Sequence, residues 1–399
     1  MKKKILIAYD SMLTGGTTTA LLSILEKIDA KYDIDIALFQ HSGAYIESLP
    51  KNVNLLNEIF DCEKYNKKFY RINKILFTIL NLNFFKAICL FFKYKKTSKG
   101  KFRNILSLCG IKAQVKMSIQ IDKPYDVAIG FMEGWSNHYI MSNKVSAKKK
   151  ILWVHPNYKN SILIPEIDKN IFDRSDNIIV VSEECKKDFI KVFPSLSERV
   201  LCIENINSRA NIINRSCEYE FTTDEIFNLC TISRCHIDVK GLDRIVIALL
   251  KLKNENLLNN VVWNYIGDGR DIKILEDLVI KFGLSKNVKI HGFLVNPLPV
   301  LKKMDLFILA SRYEGKPIAV TEAMLLDVPC LVTNYSSAYE QVANNENGIV
   351  VENNDDSLYH GLKYILQNKE ILLKFKENIN YDFLEKESEI NKIIDLIEN

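Results

Sequence analysis

Apolar residues fall along the chain in two series of short runs, each separated by longer amphipathic stretches. The first series is Lys3–Ala8, Ile34–Phe39, Val127–Phe131, Ile151–Val154, Asn177–Val181 and Val200–Ile203. After Lys3–Ala8, a loop ending in Gly15-Gly16 leads to Leu21, Leu22, Ile24, Leu25 and Ile28, which recur at the spacing of one helix face. Strand, Gly-Gly loop and helix open a βαβ unit. The second series is Asn228–Ile232, Val261–Ile266, Val288–Ile290, Leu306–Leu309, Cys330–Thr333 and Ile349–Val351. Helical patterns lie between these runs at Leu242–Leu252, Ile272–Phe282, Pro297–Lys303, Pro317–Leu326 and Ala338–Ala343. Short β-rich runs alternating with helices predict a parallel sheet covered on both faces. The pattern therefore predicts an α/β chain of two doubly wound units in tandem. The polar stretch Asn205–Asp224 reads as the linker, which places the first domain at 1–205 and the second at 206–375. Residues 376–399 read as a C-terminal helix returning toward the first domain. Open α/β sheets bind ligands beyond the C-terminal ends of their strands, so a cleft between two such sheets is the expected place for chemistry.

Composition narrows this picture. The 399 residues suit two or three domains, and 47% hydrophobic with 26% charged residues is a globular balance. Nine scattered cysteines, an odd count without a C-x-x-C pair, read as reduced thiols of a cytosolic protein. The net charge of +5 hides an asymmetry. Residues 64–121 hold 12 Lys, 2 Arg and no acidic residue, a charge of +14, so the remainder carries −9. An anionic surface is the expected partner of that stretch. Within it, Ile75–Phe92 is 18 residues long and mostly apolar, but Asn81, Asn83 and Lys86 interrupt it. It reads as a core or interfacial helix, since a span wants about 20 predominantly apolar residues. Phe84, Phe85, Phe91, Phe92 and Tyr94 beside Lys86, Lys93, Lys95 and Lys96 suit docking on an anionic membrane. Nothing in the second unit supports nucleic-acid readout. The apolar run after Met1-Lys2-Lys3-Lys4 is too short for a signal-peptide core.

Several segments carry candidate chemistry. In Ser311–Ala323, Glu314 lies in the loop after an apolar strand, Pro317 suits the first helical position, and Glu322 falls in the second helical turn. Carboxylates there can accept hydrogen bonds from vicinal hydroxyls of a sugar or ribose, and the helix N-terminus favours an anion. In Thr231–Gly241, Arg234 just past a strand and Lys240 at a helix start could clamp a diphosphate. Gly15-Gly16 permits close backbone approach to a phosphate or sugar. His155 ends the strand Ile151–Val154, and Glu133 ends another. Each of these has an ordinary structural reading as well: a tight turn, a solvated charge, or a histidine bonded to a loop carbonyl. No G-x-G-x-x-G or P-loop pattern occurs, which argues against dinucleotide oxidoreductases and P-loop NTPases. Asp33-Ile34-Asp35 has the D-x-D form of a metal site, but it opens a strand, away from the ligand-bearing edge.

Arg234 with Lys240-Gly241, Gly267-Asp268-Gly269, His291-Gly292-Phe293, the Glu314–Glu322 spacing, Glu340 and Gly348 together resemble family 4 glycosyltransferases, over about residues 226–352. The resemblance is weaker in the first half, through Gly15-Gly16, His155 and Val180–Glu183, and residues 60–120 match nothing specific. It implies the GT-B architecture, two Rossmann-like domains facing across a cleft. It implies a retaining enzyme, acting on a nucleotide diphosphate-sugar donor without a metal or other cofactor. By the same resemblance, Arg234 and Lys240 would bind the diphosphate, Glu314 the donor sugar and Glu322 the ribose. Gly16 would admit the phosphate and sugar, His155 would touch the sugar near its reacting carbon, and Gly292 and Phe293 would lie beside the base. Gly315 and Lys316 complete the donor set, although the family often has an apolar residue where Lys316 stands. The expected acceptor is a glycan or lipid-linked sugar of bacterial capsule, exopolysaccharide or lipopolysaccharide synthesis, handled by a cytoplasmic enzyme peripheral to the membrane. Rival readings are a nucleotide-sugar 2-epimerase of the same fold and an inactive transferase-like partner subunit.

Overall fold

The structure is a computed structural model that describes residues 2–13, 15–59, 111, 114–158, 165–223 and 226–399. The Ile75–Phe92 segment and most of the basic stretch 64–121 lie outside the described residues. The chain divides into two units, residues 1–204 with 390–399 and residues 205–389.

The first unit is built on a parallel sheet of seven strands: β1 Lys4–Tyr9, β2 Asp33–Leu38, β3 Val53–Leu55, β4 Ile121–Gly130, β5 Val145–Val154, β6 Asn177–Val180 and β7 Val200–Cys202. Their order is β3-β2-β1-β4-β5-β6-β7. The second unit has six parallel strands: β8 Phe227–Ile232, β9 Val261–Ile266, β10 Val288–Gly292, β11 Leu306–Leu309, β12 Cys330–Thr333 and β13 Gly348–Val351, ordered β10-β9-β8-β11-β12-β13. The strand centres are buried on both faces, which is why they read as continuous apolar runs. Leu229, Trp263, Leu306 and Ile308 pack on one face of the second sheet, and Cys230, Phe307, Leu309 and Val332 on the other.

Both sheets reverse their winding once, between β1 and β4 in the first unit and between β8 and β11 in the second. At such a switch point the connections leave in opposite directions and open a crevice at the C-terminal edge, which is where ligands bind in this class of sheet.

Three expectations are corrected. The stretch Asn205–Asp224 is no plain linker: Arg209–Arg215 forms a helix of the second unit, capped by the Ser208 hydroxyl and anchored by buried Ile212. Residues 376–389 also stay with the second unit, and only 390–399 belong to the first. There Lys3 Nζ donates to the Ile397 and Glu398 carbonyls at 2.9 and 2.7 Å, and Lys149 Nζ to the Leu396 carbonyl at 2.8 Å. These two cations sit on the last carbonyls of the Glu389–Glu398 helix, the end its dipole makes negative. Finally, Pro317 is the flanking residue of the Ile318–Leu325 helix, with extended backbone, and not its first helical residue.

Asp35 has a structural use at the N-terminal edge of the first sheet. Its carboxylate accepts from Lys123 Nζ at 2.8 Å, Tyr125 Oη at 2.6 Å and Asn54 Nδ2 at 2.8 Å. Burial alone would raise its pKa, but these three donors outweigh burial and hold it low.

Candidate functional site

The loop after β11 and the turn after β8 meet at the second unit's switch point. The Ile237–Lys240 turn ends at Gly241, which adopts φ +63° with its α-carbon against the β11 end: a β-carbon there would lie 2.1 Å from the Ala310 carbonyl oxygen. Only glycine fits such an approach in a left-handed conformation. Arg312 locks the same junction. Its backbone N–H donates to the Val239 carbonyl at 2.8 Å, and its guanidinium reaches the Ile237 carbonyl at 2.9 Å and both oxygens of Asp243 at 3.0 and 2.7 Å. The result places Lys240 at the end of a short helix, not at a helix start.

Lys240 Nζ lies 2.6 Å from Glu314 Oε1, and the Ser311 hydroxyl donates to the same oxygen at 2.6 Å. The Glu314 side chain is 11% exposed. Among the described residues its second oxygen, Oε2, makes no hydrogen bond, so it remains available to accept from a ligand hydroxyl. The Glu314–Pro317 loop is held from the other side. Ser336 and Ser337 hydroxyls donate to the Glu314 and Gly315 carbonyls at 2.9 and 2.5 Å, and Gln341 Nε2 to the Pro317 carbonyl at 3.0 Å. Glu322, one turn into the following helix, is half-buried. Burial raises its pKa and the nearby Arg215 charge lowers it in part.

Arg234 is exposed just past β8, and among the described residues its guanidinium makes no hydrogen bond or ion pair. Beside it Ser233 has a buried hydroxyl with no partner. The Ser233 carbonyl takes the Tyr265 hydroxyl at 2.9 Å and sits where a β-carbon on Gly267 would lie 1.9 Å away. Ser233 was not legible as a site residue; a small hydroxyl at a strand's end was its only signal. Lys316 does not point to water: its side chain is 9% exposed, with Nζ 4.0 Å from Glu340 Oε2. Gly292 takes φ +69° in open space and Phe293 is 50% exposed, at the end of β10.

In the first unit, Gly15 precedes the Gly16–Ile28 helix at the C-terminal edge of β1. His155 is buried, and its Nε2 lies 2.9 Å from the Phe131 carbonyl. A carbonyl only accepts, so Nε2 carries the proton and Nδ1 holds the free lone pair. Burial lowers this ring's pKa to about 4, so it is neutral at physiological pH. The His155 backbone N–H reaches Glu133 Oε2 at 3.3 Å. Next to Glu133 stands Asp10, which the sequence did not mark. Among the described residues its Oδ1 is buried without a partner. Burial first, then the Glu133 charge, push its carboxyl up to about 7, while the Ser136 backbone N–H works in the opposite sense.

Residues 228–381 match the family model of glycosyl transferases group 1. An Escherichia coli UDP-Gal:alpha-D-GlcNAc-diphosphoundecaprenol alpha-1,3-galactosyltransferase is 33% identical over 119 residues, 29% of this chain and 30% of that enzyme. The match thus spans less than a third of that relative. A Campylobacter jejuni N-acetylgalactosamine-N,N'-diacetylbacillosaminyl-diphospho-undecaprenol 4-alpha-N-acetylgalactosaminyltransferase is 22% identical, over 94% of this chain and 93% of the enzyme. Among solved structures, Anabaena HepE in complex with UDP and glucose is similar in fold, with TM-score 0.70 at 16% identity over 99% of both chains. The two parallel-sheet, Rossmann-like units are those of the GT-B architecture.

Proposed function

From the match of residues 228–381 to the model of glycosyl transferases group 1, we propose that the chain is a retaining glycosyltransferase. It moves a sugar from a nucleotide diphosphate-sugar to a glycan or lipid-linked acceptor of bacterial surface-polysaccharide synthesis. The observation that carries this reading is the Lys240–Glu314–Ser311 cluster at the β8/β11 switch point, with Arg234 exposed just past β8 in the same unit. Glu314 Oε2 accepts from a donor-sugar hydroxyl while Oε1 fixes Lys240. Lys240 and Arg234 stabilise the negative charge that builds on the departing diphosphate as the sugar becomes oxocarbenium-like. Glu322 holds the ribose, and Phe293 lies beside the base. In the first unit His155, as a neutral ring, offers Nδ1 as an acceptor. The two cations take the part a divalent metal plays elsewhere, so turnover persists in EDTA. Two of the matched relatives are named for undecaprenyl-diphosphate sugars, which favours a lipid-linked acceptor and a peripheral membrane location.

The test is a panel of nucleotide sugars screened for thermal stabilisation, since a ligand at 100 times its Kd adds about 2.7 kcal/mol. Any stabilising donor is then incubated with and without acceptor lipid, and the anomeric configuration of the product is read by NMR. An epimerised nucleotide sugar formed without acceptor would replace this reading by the 2-epimerase one. Stabilisation by no nucleotide sugar would sink both.

A further inference from the structure

We propose that a cavity in the first unit, between the Trp135–Ile140 and Pro165–Arg174 helices, is a binding site for a small phosphomonoester. The inference stands apart from the glycosyltransferase reading. The Trp135–Ile140 helix carries the chain from the end of β4 back to the start of β5, and the Pro165–Arg174 helix does the same between β5 and β6. Their last turns therefore lie toward the N-terminal edge of the parallel sheet, opposite the switch-point edge where Glu133 and His155 stand. The cavity formed around these last turns measures about 210 Å³. A cavity of roughly 150 Å³ accepts a benzene, so a phosphate with a short carbon group fits.

The polar part of the lining is built around a buried pair. His138, which lines the cavity, is 8% exposed, and Asp168 behind it is 3% exposed. His138 Nε2 lies 3.0 Å from Asp168 Oδ1, and the Tyr158 hydroxyl donates to Asp168 Oδ2 at 2.8 Å. Both carboxylate oxygens are thus occupied and the ring is fixed, which leaves Nδ1 for a ligand. Among the described residues Nδ1 has no partner. Arg174 and Asn170 line the same cavity from exposed positions. Arg174 Nε donates to the Asn170 carbonyl at 3.1 Å, which holds the guanidinium along its helix. Its two terminal nitrogens and the Asn170 amide make no hydrogen bond among the described residues. The rest of the lining is mainly apolar, from Val115, Met141 and Ile171.

The surrounding charge selects an anion. Carbonyls at helix C-termini repel anions, but here cations already cap them. Lys150 Nζ reaches the Val145 and Ser142 carbonyls at 3.0 and 3.5 Å, Arg199 the Ser175 and Asp173 carbonyls at 2.7 and 3.0 Å, and Lys144 the Lys116 and Ser118 carbonyls. Of the nearby acids, Asp173 pairs with Lys169 at 2.6 Å, and Asp176 accepts the Lys150 backbone N–H at 2.6 Å. Burial first, then the Arg174 charge, lowers the Lys150 pKa against the pull of Asp176. An anion at Arg174 relieves that repulsion. An Arg fork beside an amide donor matches the oxygens of a phosphate. A phosphomonoester, whose second pKa is about 6, also suits His138 in either form. Its P–OH donates to Nδ1 of the neutral ring, and its dianion accepts from the imidazolium. The ester carbons meet Val115, Met141 and Ile171. A wholly apolar ligand would strip water from Arg174 and Asn170 without replacing it.

The test uses the full chain and calorimetric titration with glycerol 3-phosphate, inorganic phosphate and, as the uncharged control, glycerol, each with and without UDP. Wild-type protein binds both phosphates and not glycerol, and UDP does not displace them. Arg174→Gln and Asn170→Asp, at exposed positions where folding is safe, each weaken glycerol 3-phosphate by about tenfold or more, the scale of one charge-assisted hydrogen bond. Arg234→Ala, in the other unit, leaves its Kd within about twofold. Neither phosphate bound by wild type, affinity unchanged in Arg174→Gln and Asn170→Asp, or phosphate lost in Arg234→Ala or displaced by UDP overturns the proposal. So does glycerol bound as tightly as glycerol 3-phosphate. Failure of UDP to bind wild type sinks the nucleotide-sugar reading instead, and the Arg174 and Asn170 variants still decide the phosphate site.

Discussion

At the β8/β11 switch point Glu314 is compensated by Lys240 and Ser311, whereas at the β1/β4 switch point Asp10 stands beside another carboxyl with Oδ1 unpaired. The same topology thus carries opposite electrostatics. The first arrangement pairs a carboxylate with an ammonium and a hydroxyl and fixes all three in place. The second raises the pKa of a carboxyl, through burial first and then the Glu133 charge.

The largest expected effect breaks the compensated edge. Lys240→Ala removes the cation and leaves Glu314 without its ion-pair partner. If Lys240 acts on transition-state charge, turnover falls by about 10²–10³, the cost of one preorganised contact. Steady-state kinetics with a donor found in the stabilisation screen measures it. A fall confined to KM would place Lys240 in ground-state binding only.

The next prediction sets two acids of the first unit against each other. Asp35, with three donors, has a depressed pKa, so it stabilises the fold above its unfolded pKa, and that contribution is lost as pH falls. Asp35→Ala therefore costs about 3 kcal/mol at pH 7, read by urea denaturation. Asp10 has the opposite sign. Its folded pKa, about 7 against 3.8, means the native state binds more protons than the unfolded one between those values. Stability is greatest at low pH and declines as pH rises toward 7. Between pH 5.5 and 8 this amounts to roughly 2 kcal/mol at 1.36 kcal/mol per unit, and Asp10→Asn abolishes the decline. A decline of equal size in Asp10→Asn would assign it to other groups.

What could be read from the chain divides along physical lines. Strand centres such as Val261–Ile266 and Leu306–Leu309 were legible because burial on both faces demands apolar side chains there. The edge strand Val53–Leu55 was not, because three residues with a polar centre carry no pattern. The polar first halves of β4 and β5 were also missed. Asp122, Lys123 and Asp126, and Lys148–Lys150, fall outside the apolar runs, yet pairing across the sheet gives them partners, as Lys148 Nζ to Asp126 Oδ1 at 2.8 Å shows. The spacing singles out Glu314, Glu322, Arg234 and Lys240 as candidates, but that Lys240 and Glu314 bond each other was not legible. Asp10 was invisible because its partner Glu133 arrives through strand pairing from far along the chain.

Ser233 gives the smallest effect and the sharpest contrast with Asp10, since each unit has one orphaned oxygen just past its first switch-point strand. In the second unit that oxygen belongs to a hydroxyl, which can donate, and it sits next to uncommitted Arg234. Donation to a phosphate oxygen is the use this position permits; a carboxylate there would repel the same ligand. Ser233→Ala removes a group that has no partner among the described residues, so stability should stay within about 0.5 kcal/mol of wild type. Nucleotide-sugar affinity should fall by roughly fivefold, the net worth of one hydrogen bond at about 1 kcal/mol. Calorimetric titration of wild type and variant with the same donor measures both members of the comparison. Unchanged affinity would remove Ser233 from the donor site and leave Arg234 and Lys240 to hold the diphosphate alone.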